Sequence, residues 1–104
     1  MRIIIFMALI LSACTKGEKK PPTLSERGRS VYNTHCTSCH GANPKIDGVL
    51  GPAVFGSSLE LLELRVLKAQ YPPGYTPKRE TKQMAMLPFL KDEIPALHAY
   101  LNQP

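Results

Sequence analysis

Five consecutive residues constrain this chain more than any other feature: Cys36-Thr37-Ser38-Cys39-His40. In a helical turn Cys36 stands three residues from Cys39 and four from His40. Both sulfurs and the imidazole then fall on one side of the turn. Three chemistries use such a cluster. A redox dithiol needs only the C-x-x-C part, inside an alternating strand and helix pattern, and no such alternation is visible. A structural zinc site needs four ligands. Beyond the string, the chain after its first stretch offers only His35 and His98, with no second pair of metal-type ligands. The complete C-x-x-C-H string marks the third chemistry, attachment of a c-type haem. Two thiols bond the two vinyl groups while the imidazole reaches the iron from one face.

The remaining cysteine, Cys14, follows a different logic. Residues 1–13 hold one Arg and then a short apolar run ending in small residues. The run is too short to span a bilayer as a helix and is expected to be a cleaved export signal. Its ending, Leu11-Ser12-Ala13-Cys14, resembles the bacterial lipobox. That resemblance implies a diacylglyceryl group on Cys14, which becomes the first residue of the mature protein. It also accounts for an unpaired exported cysteine. Several acyl chains hold a protein on a membrane where one chain does so only marginally. Thr15 follows Cys14, and the absence of Asp there leans toward the outer rather than the inner membrane. Residues 14–22 form a polar, lysine-rich, lipid-anchored linker, stiffened at its end by Pro21 and Pro22. The expected location is the periplasmic side of a membrane.

The single domain then covers residues 23–104. Thr23 and Glu26 have the spacing of a capping box, which starts a first helix running into the string. Gly28, Tyr32 and Cys36 are spaced by four and share a face. Gly inside a helix costs up to about 1 kcal/mol against Ala, a cost that close approach by another helix would explain. Residues 41–56 are rich in Gly and Pro and are expected to be loop. Within them, Gly51-Pro52 lies just past His40, and a backbone carbonyl there can accept the second ring N–H of an iron-bound imidazole. Ser57 and Glu60 repeat the capping-box spacing and begin a leucine-rich helix expected to reach about Gln70. The run Tyr71-Pro72-Pro73-Gly74 stops it. In the irregular stretch that follows, Tyr71, Tyr75, Lys78 and Arg79 are candidates to bond haem propionates. A last helix is expected from Asp92, with Pro95 in its first turn. Ile94, Leu97 and Leu101 form its apolar stripe, with His98 at the edge as a helix residue and not an iron ligand. His35 is expected to be exposed near the haem edge.

Once the leader is removed, Met84 and Met86 are the only methionines. Both follow His40 by enough chain to cross to the other haem face. Two residues apart in an extended chain, they point to opposite sides, so only one should face the iron.

Together these residues resemble a small bacterial class I cytochrome c of the monohaem type. The elements are Gly28-x-x-x-Tyr32-x-x-x-Cys36, Cys36-Thr37-Ser38-Cys39-His40-Gly41, Gly51-Pro52, a methionine segment, and Leu90-Lys91-Asp92-Glu93-Ile94 leading to Leu97-x-x-Tyr100-Leu101. The resemblance implies an all-α bundle of three to five short helices around one covalent haem. The first and last helices would cross near Gly28, with Tyr32 against Leu97 and Tyr100. It implies thioether bonds from Cys36 and Cys39, His40 as the proximal ligand, and the Pro52 carbonyl on the His40 ring. In the family the distal Met is often followed at once by Pro, about six residues before the Leu preceding the last helix. Met84 keeps that distance to Leu90 but is followed by Ala85. Met86 has Pro88 two residues on and stands too close to the helix. Met84 is therefore the expected ligand, with Met86 as the alternative.

The function expected is one-electron transfer, not substrate turnover. An iron held by His and Met has no open position, and Met ligation raises its potential. The alternatives are a five-coordinate haem protein binding small ligands or peroxide, and a haem-free redox-dithiol lipoprotein. The net charge of +5, from 13 basic and 8 acidic residues, carries no aromatic-and-basic stripe for nucleic acid. It suits steering toward redox partner proteins with acidic patches at the membrane surface. A monomer is expected, since no coiled coil or second apolar face is present.

Overall fold

The computed structural model describes residues 20–80 and 83–104. The expected signal 1–13, Cys14 with its expected lipid and most of the linker 14–22 lie outside the described residues. Among those described, the regular elements are all helical: α1 (Leu24–His35), α2 (Thr37–His40), α3 (Leu59–Lys68), a 3₁₀ helix (Pro88–Glu93) and α4 (Ile94–Leu101).

Helix α1 starts where the sequence places it. The Thr23 hydroxyl accepts the Glu26 N–H at 3.1 Å, satisfying one donor that the first turn leaves without an intrahelical partner. Its inner face carries Gly28 and Tyr32, both buried. A Cβ built on Gly28 would lie 1.9 Å from the Ala96 carbonyl oxygen and 2.8 Å from Tyr100 Cβ. The backbones of α1 and α4 therefore meet here, and only a residue without a side chain fits. Tyr32 is 1% exposed. Its ring packs 5.5 Å from that of Tyr100, and its hydroxyl donates to the Gly41 carbonyl at 2.7 Å, so the polar tip of a buried ring is satisfied. Across the same crossing, the Arg27 guanidinium forks onto both Glu93 carboxylate oxygens, with Nε 2.8 Å from Oε2.

The core is Tyr32, Leu62, Val66, Leu90, Ile94, Leu97 and Leu101. The α4 stripe of Ile94, Leu97 and Leu101 is buried as its spacing predicts. The C-terminal end is tied down by polar contacts. Gly56 N–H donates to the Leu101 carbonyl at 2.7 Å, and Asn102 Nδ2 donates to the carbonyls of Ser57 and His98 at 2.8 and 2.9 Å.

Three boundaries differ from expectation. Ser58, not Ser57, caps α3, accepting from Leu61 N–H at 3.1 Å. Ser57 is buried, and its hydroxyl instead donates to the Val54 carbonyl at 2.5 Å, which removes it from capping. Helix α3 ends at Lys68, short of Gln70, because Ala69 takes a left-handed conformation with φ of 53°. The last α-helix begins at Ile94, while Asp92 belongs to the preceding 3₁₀ helix. Pro95 lies within the first two positions of α4, where the missing N–H costs nothing.

Candidate functional site

Cys36 is the junction of α1 and α2. Its N–H donates to the Tyr32 carbonyl at 2.9 Å, closing α1, while its own carbonyl accepts from Cys39 N–H at 3.3 Å and His40 N–H at 3.0 Å. The string thus forms the helical turn that its spacing requires. Gly41, with φ of 80°, ends that turn and returns its N–H to the Thr37 carbonyl at 2.9 Å. Both thiols are unpaired, Cys36 half-buried and Cys39 exposed. Burial, and secondarily the neighbouring Cys39 thiol, pushes the Cys36 thiol up to about 11. The attacking thiol of a redox pair works through a lowered value, so the environment of Cys36 speaks against a dithiol.

The loop after α2 folds back under His40. Leu50 and Gly51 N–H donate to the Cys39 carbonyl at 3.2 and 2.9 Å, and Gly48 N–H donates to the Gly51 carbonyl at 2.9 Å. Two glycines let the chain pass this close. A Cβ on Gly48 would lie 2.3 Å from the Cys39 carbonyl oxygen, and one on Gly51 would lie 2.5 Å from the His40 ring. The fold-back sets His40 Nδ1 2.8 Å from the Pro52 carbonyl oxygen. A carbonyl can only accept, so Nδ1 carries the proton and Nε2 is left with its lone pair, the form needed to ligate a metal.

Met84 arrives from a different segment. It is half-buried and packs against the core cluster. The segment is pinned just beyond it, where Leu87 N–H donates to the Val66 carbonyl at 2.7 Å. Met86 is 58% exposed.

A cavity of about 320 Å³ joins these groups, within the usual range for small-molecule sites. Cys36, Cys39, His40, Pro52 and Met84 line it, whereas Met86 and His98 do not. Its walls are apolar, with Leu62, Val66 and Leu97 from the core. Tyr71, Tyr75, Arg65, Lys78 and Arg79 stand along it, and no Asp or Glu does. Tyr71 and Tyr75 stack with ring centres 5.3 Å apart, and the Arg65 guanidinium lies 4.1 Å from the Tyr71 centre, a cation–π arrangement. His35 is exposed and also borders the cavity, its ring edge-on to Phe89. The sequence gives no signal for the Arg65 contribution, which depends on where α3 ends relative to Tyr71. Among the described residues, no cluster of three or more His, Cys, Asp or Glu could hold a metal ion, which leaves the zinc reading without geometric support.

This set fits a haem. Two thiols lie one turn apart, an imidazole presents a free Nε2, and a thioether comes from a second segment. Apolar walls suit the plate, and cations suit its acidic edge. The family model for cytochrome c matches residues 25–103, most of the chain, and the chain belongs to that family. Its members carry covalently bound haem c with iron and act in electron transfer. No curated protein matches the chain. No helix among the described residues is long and apolar enough to cross a membrane.

Proposed function

We propose that this protein is a membrane-anchored one-electron carrier, with the haem held by Cys36 and Cys39 and the iron ligated by His40 and Met84. When bound, the haem supplies the Fe(III)/Fe(II) couple. The observation that carries the reading is the pairing of His40 Nδ1 with the Pro52 carbonyl at 2.8 Å, in a cavity that Met84 also lines. A fixed tautomer presents one nitrogen to a metal, and a soft sulfur completes the pair. That donor set raises the potential and leaves no position open for substrate. The half-buried thioether lining the cavity favours Met84 over the exposed Met86 as ligand.

The chain's other residues fit the same role. Lipid on Cys14 would hold the domain on the periplasmic side of a membrane, with the outer membrane favoured by Thr15. The linker would allow a reach of about 25 Å at most, from roughly 3.3 Å per residue. Confinement to the bilayer raises the effective concentration of membrane-bound partners. The basic balance would steer a monomeric carrier toward acidic patches on redox proteins.

A redox titration combined with carbon monoxide exposure tests the proposal. The expected result is a one-electron Nernst slope and a reduced form whose spectrum does not change under carbon monoxide. Ready binding of carbon monoxide by the reduced protein would instead show an open iron position and overturn the carrier reading.

A further inference from the structure

Lys78 and Arg79 follow Tyr75 along the cavity and make contacts beyond it. Lys78 Nζ donates to the Ala53 carbonyl at 2.8 Å. Arg79 Nη2 donates to the Gly48 carbonyl at 3.2 Å, and Nη1 reaches the Val49 carbonyl at 3.5 Å. The Arg79 guanidinium also lies 3.8 Å from Asp47 Oδ2, and Asp47 Oδ1 accepts the Ala53 N–H at 2.7 Å. Two consecutive cations therefore bond the loop that carries Pro52.

Backbone accounting in that loop shows why this matters. Outside a helix, the loop's carbonyls pair with side chains, with other backbone groups or with water. Gly51 takes the Gly48 N–H, and Pro52 takes His40 Nδ1. Gly48, Val49 and Ala53 take Lys78 and Arg79. In sequence, the Pro52 carbonyl that holds His40 thus lies between the carbonyls of Gly48 and Val49, held by Arg79, and that of Ala53, held by Lys78. Among the described residues, Leu87 is a backbone anchor beyond Met84, its N–H donating to the Val66 carbonyl. A solvated lysine and arginine would make none of these bonds, since fixing two long side chains costs rotamer entropy.

We propose that Lys78 and Arg79 are positioning residues that clamp the Met84 segment onto the Pro52 loop, holding the His40 imidazole and the Met84 thioether in a fixed relation. This rests on the reading of His40 and Met84 as the iron's two ligands. Hydrogen bonds from charged donors are the stronger kind, while exposure of Lys78 reduces their worth. Loss of both should move the equilibrium between the bound and released Met84 by about tenfold, within the range of residues that couple two sites.

The test uses the mature haem protein and the double variant Lys78→Met, Arg79→Met. Lys78→Arg with Arg79→Lys serves as the conservative rescue, and the double variant Arg29→Met, Lys91→Met as an equal loss of charge at exposed positions elsewhere. The oxidised proteins are titrated with imidazole, which competes with a methionine sulfur for iron. Amide hydrogen exchange is followed in parallel at Leu50, Gly51 and Ala53. The double methionine variant should bind imidazole about tenfold more tightly and exchange those amides about tenfold faster. The rescue variant and the Arg29→Met, Lys91→Met control should stay near wild type, and the core amide of Leu97 should not change. Should imidazole affinity and loop exchange both match wild type in the double variant, the clamp is overturned. Faster loop exchange, with a wild type that already binds imidazole as tightly as the variant, would support the clamp but overturn Met84 as ligand.

Discussion

Gly28→Ala places one methyl group where α1 and α4 touch. In the structure that methyl carbon would lie 1.9 Å from the Ala96 carbonyl oxygen, 2.5 Å from the Ala96 carbonyl carbon and 2.8 Å from Tyr100 Cβ. Two of the three obstacles are backbone atoms, so no rotamer change relieves them. The helices must separate by more than an ångström, which loosens the contacts of Tyr32, Ile94 and Leu97, now 1%, 2% and 1% exposed. Overpacking of this kind costs about 3 kcal/mol or somewhat more. Better helix propensity returns about 1 kcal/mol. The net loss is about 2 kcal/mol or more, against a typical domain stability of about 5–15 kcal/mol. For a domain this small that corresponds to a fall in Tm of roughly 8–16 °C. Guanidinium unfolding of the haem protein, followed by far-ultraviolet circular dichroism and haem absorbance, measures the change. Gly74→Ala is the comparison, because a Cβ there meets nothing within 4 Å and only the φ of +79° opposes it. It should lose only about 1 kcal/mol. A Gly28→Ala protein as stable as wild type would refute the claim that the helices meet backbone to backbone at this point.

Two further outcomes follow from the same geometry, and a third follows from the leader sequence. Ala69→Gly should stabilise the protein by about 0.5–1 kcal/mol in the same unfolding assay, because Ala69 holds a left-handed φ of 53° at the end of α3 and glycine adopts it without strain. The hydrogen bond from Arg27, supported by its charge, holds the Glu93 carboxyl below the ordinary carboxylate range. Its stabilising contribution is therefore present above about pH 4.3, the ordinary value, and is lost as the pH falls through the lower folded value. Glu93→Gln should flatten that part of the acid unfolding profile, and an unchanged profile would remove the ion pair from the account. Cys14→Ser should shift the protein from the membrane to the soluble periplasmic fraction on cell fractionation, if lipid on Cys14 is the anchor.

Local signals were the ones that sequence could report. Thr23 caps α1 because its partner is three residues away, and the Cys36–His40 turn follows from spacing within a single helical turn. The α4 stripe likewise follows from the 3.6-residue period. Gly28 is legible for another reason: a glycine inside an otherwise good helix invites the question of what approaches it. Where two local choices compete, tertiary contacts decide. Ser57 and Ser58 both suit a cap, and Ser57 is held instead by Asn102, 45 residues away, which donates to its carbonyl. The same holds for Met84 and Met86, two residues apart. Packing against the core cluster half-buries Met84 and leaves Met86 58% exposed. Lys78 and Arg79 read as candidates to bond haem propionates, and they also donate to carbonyls 25 to 31 residues away. No short-range pattern carries such a pairing.

The most direct measurement is the optical spectrum of protein matured in a host that attaches c-type haem, read oxidised, reduced and as the alkaline pyridine complex. The account predicts a pyridine spectrum of the c type, which requires both vinyl groups to be saturated by Cys36 and Cys39. It also predicts the weak long-wavelength band of a methionine–iron(III) bond, lost in Met84→Ala and kept in Met86→Ala. A c-type pyridine spectrum without that band, or a band surviving Met84→Ala, would contradict the ligand assignment. Two titratable thiols at Cys36 and Cys39 with no haem absorption would contradict the account at its centre.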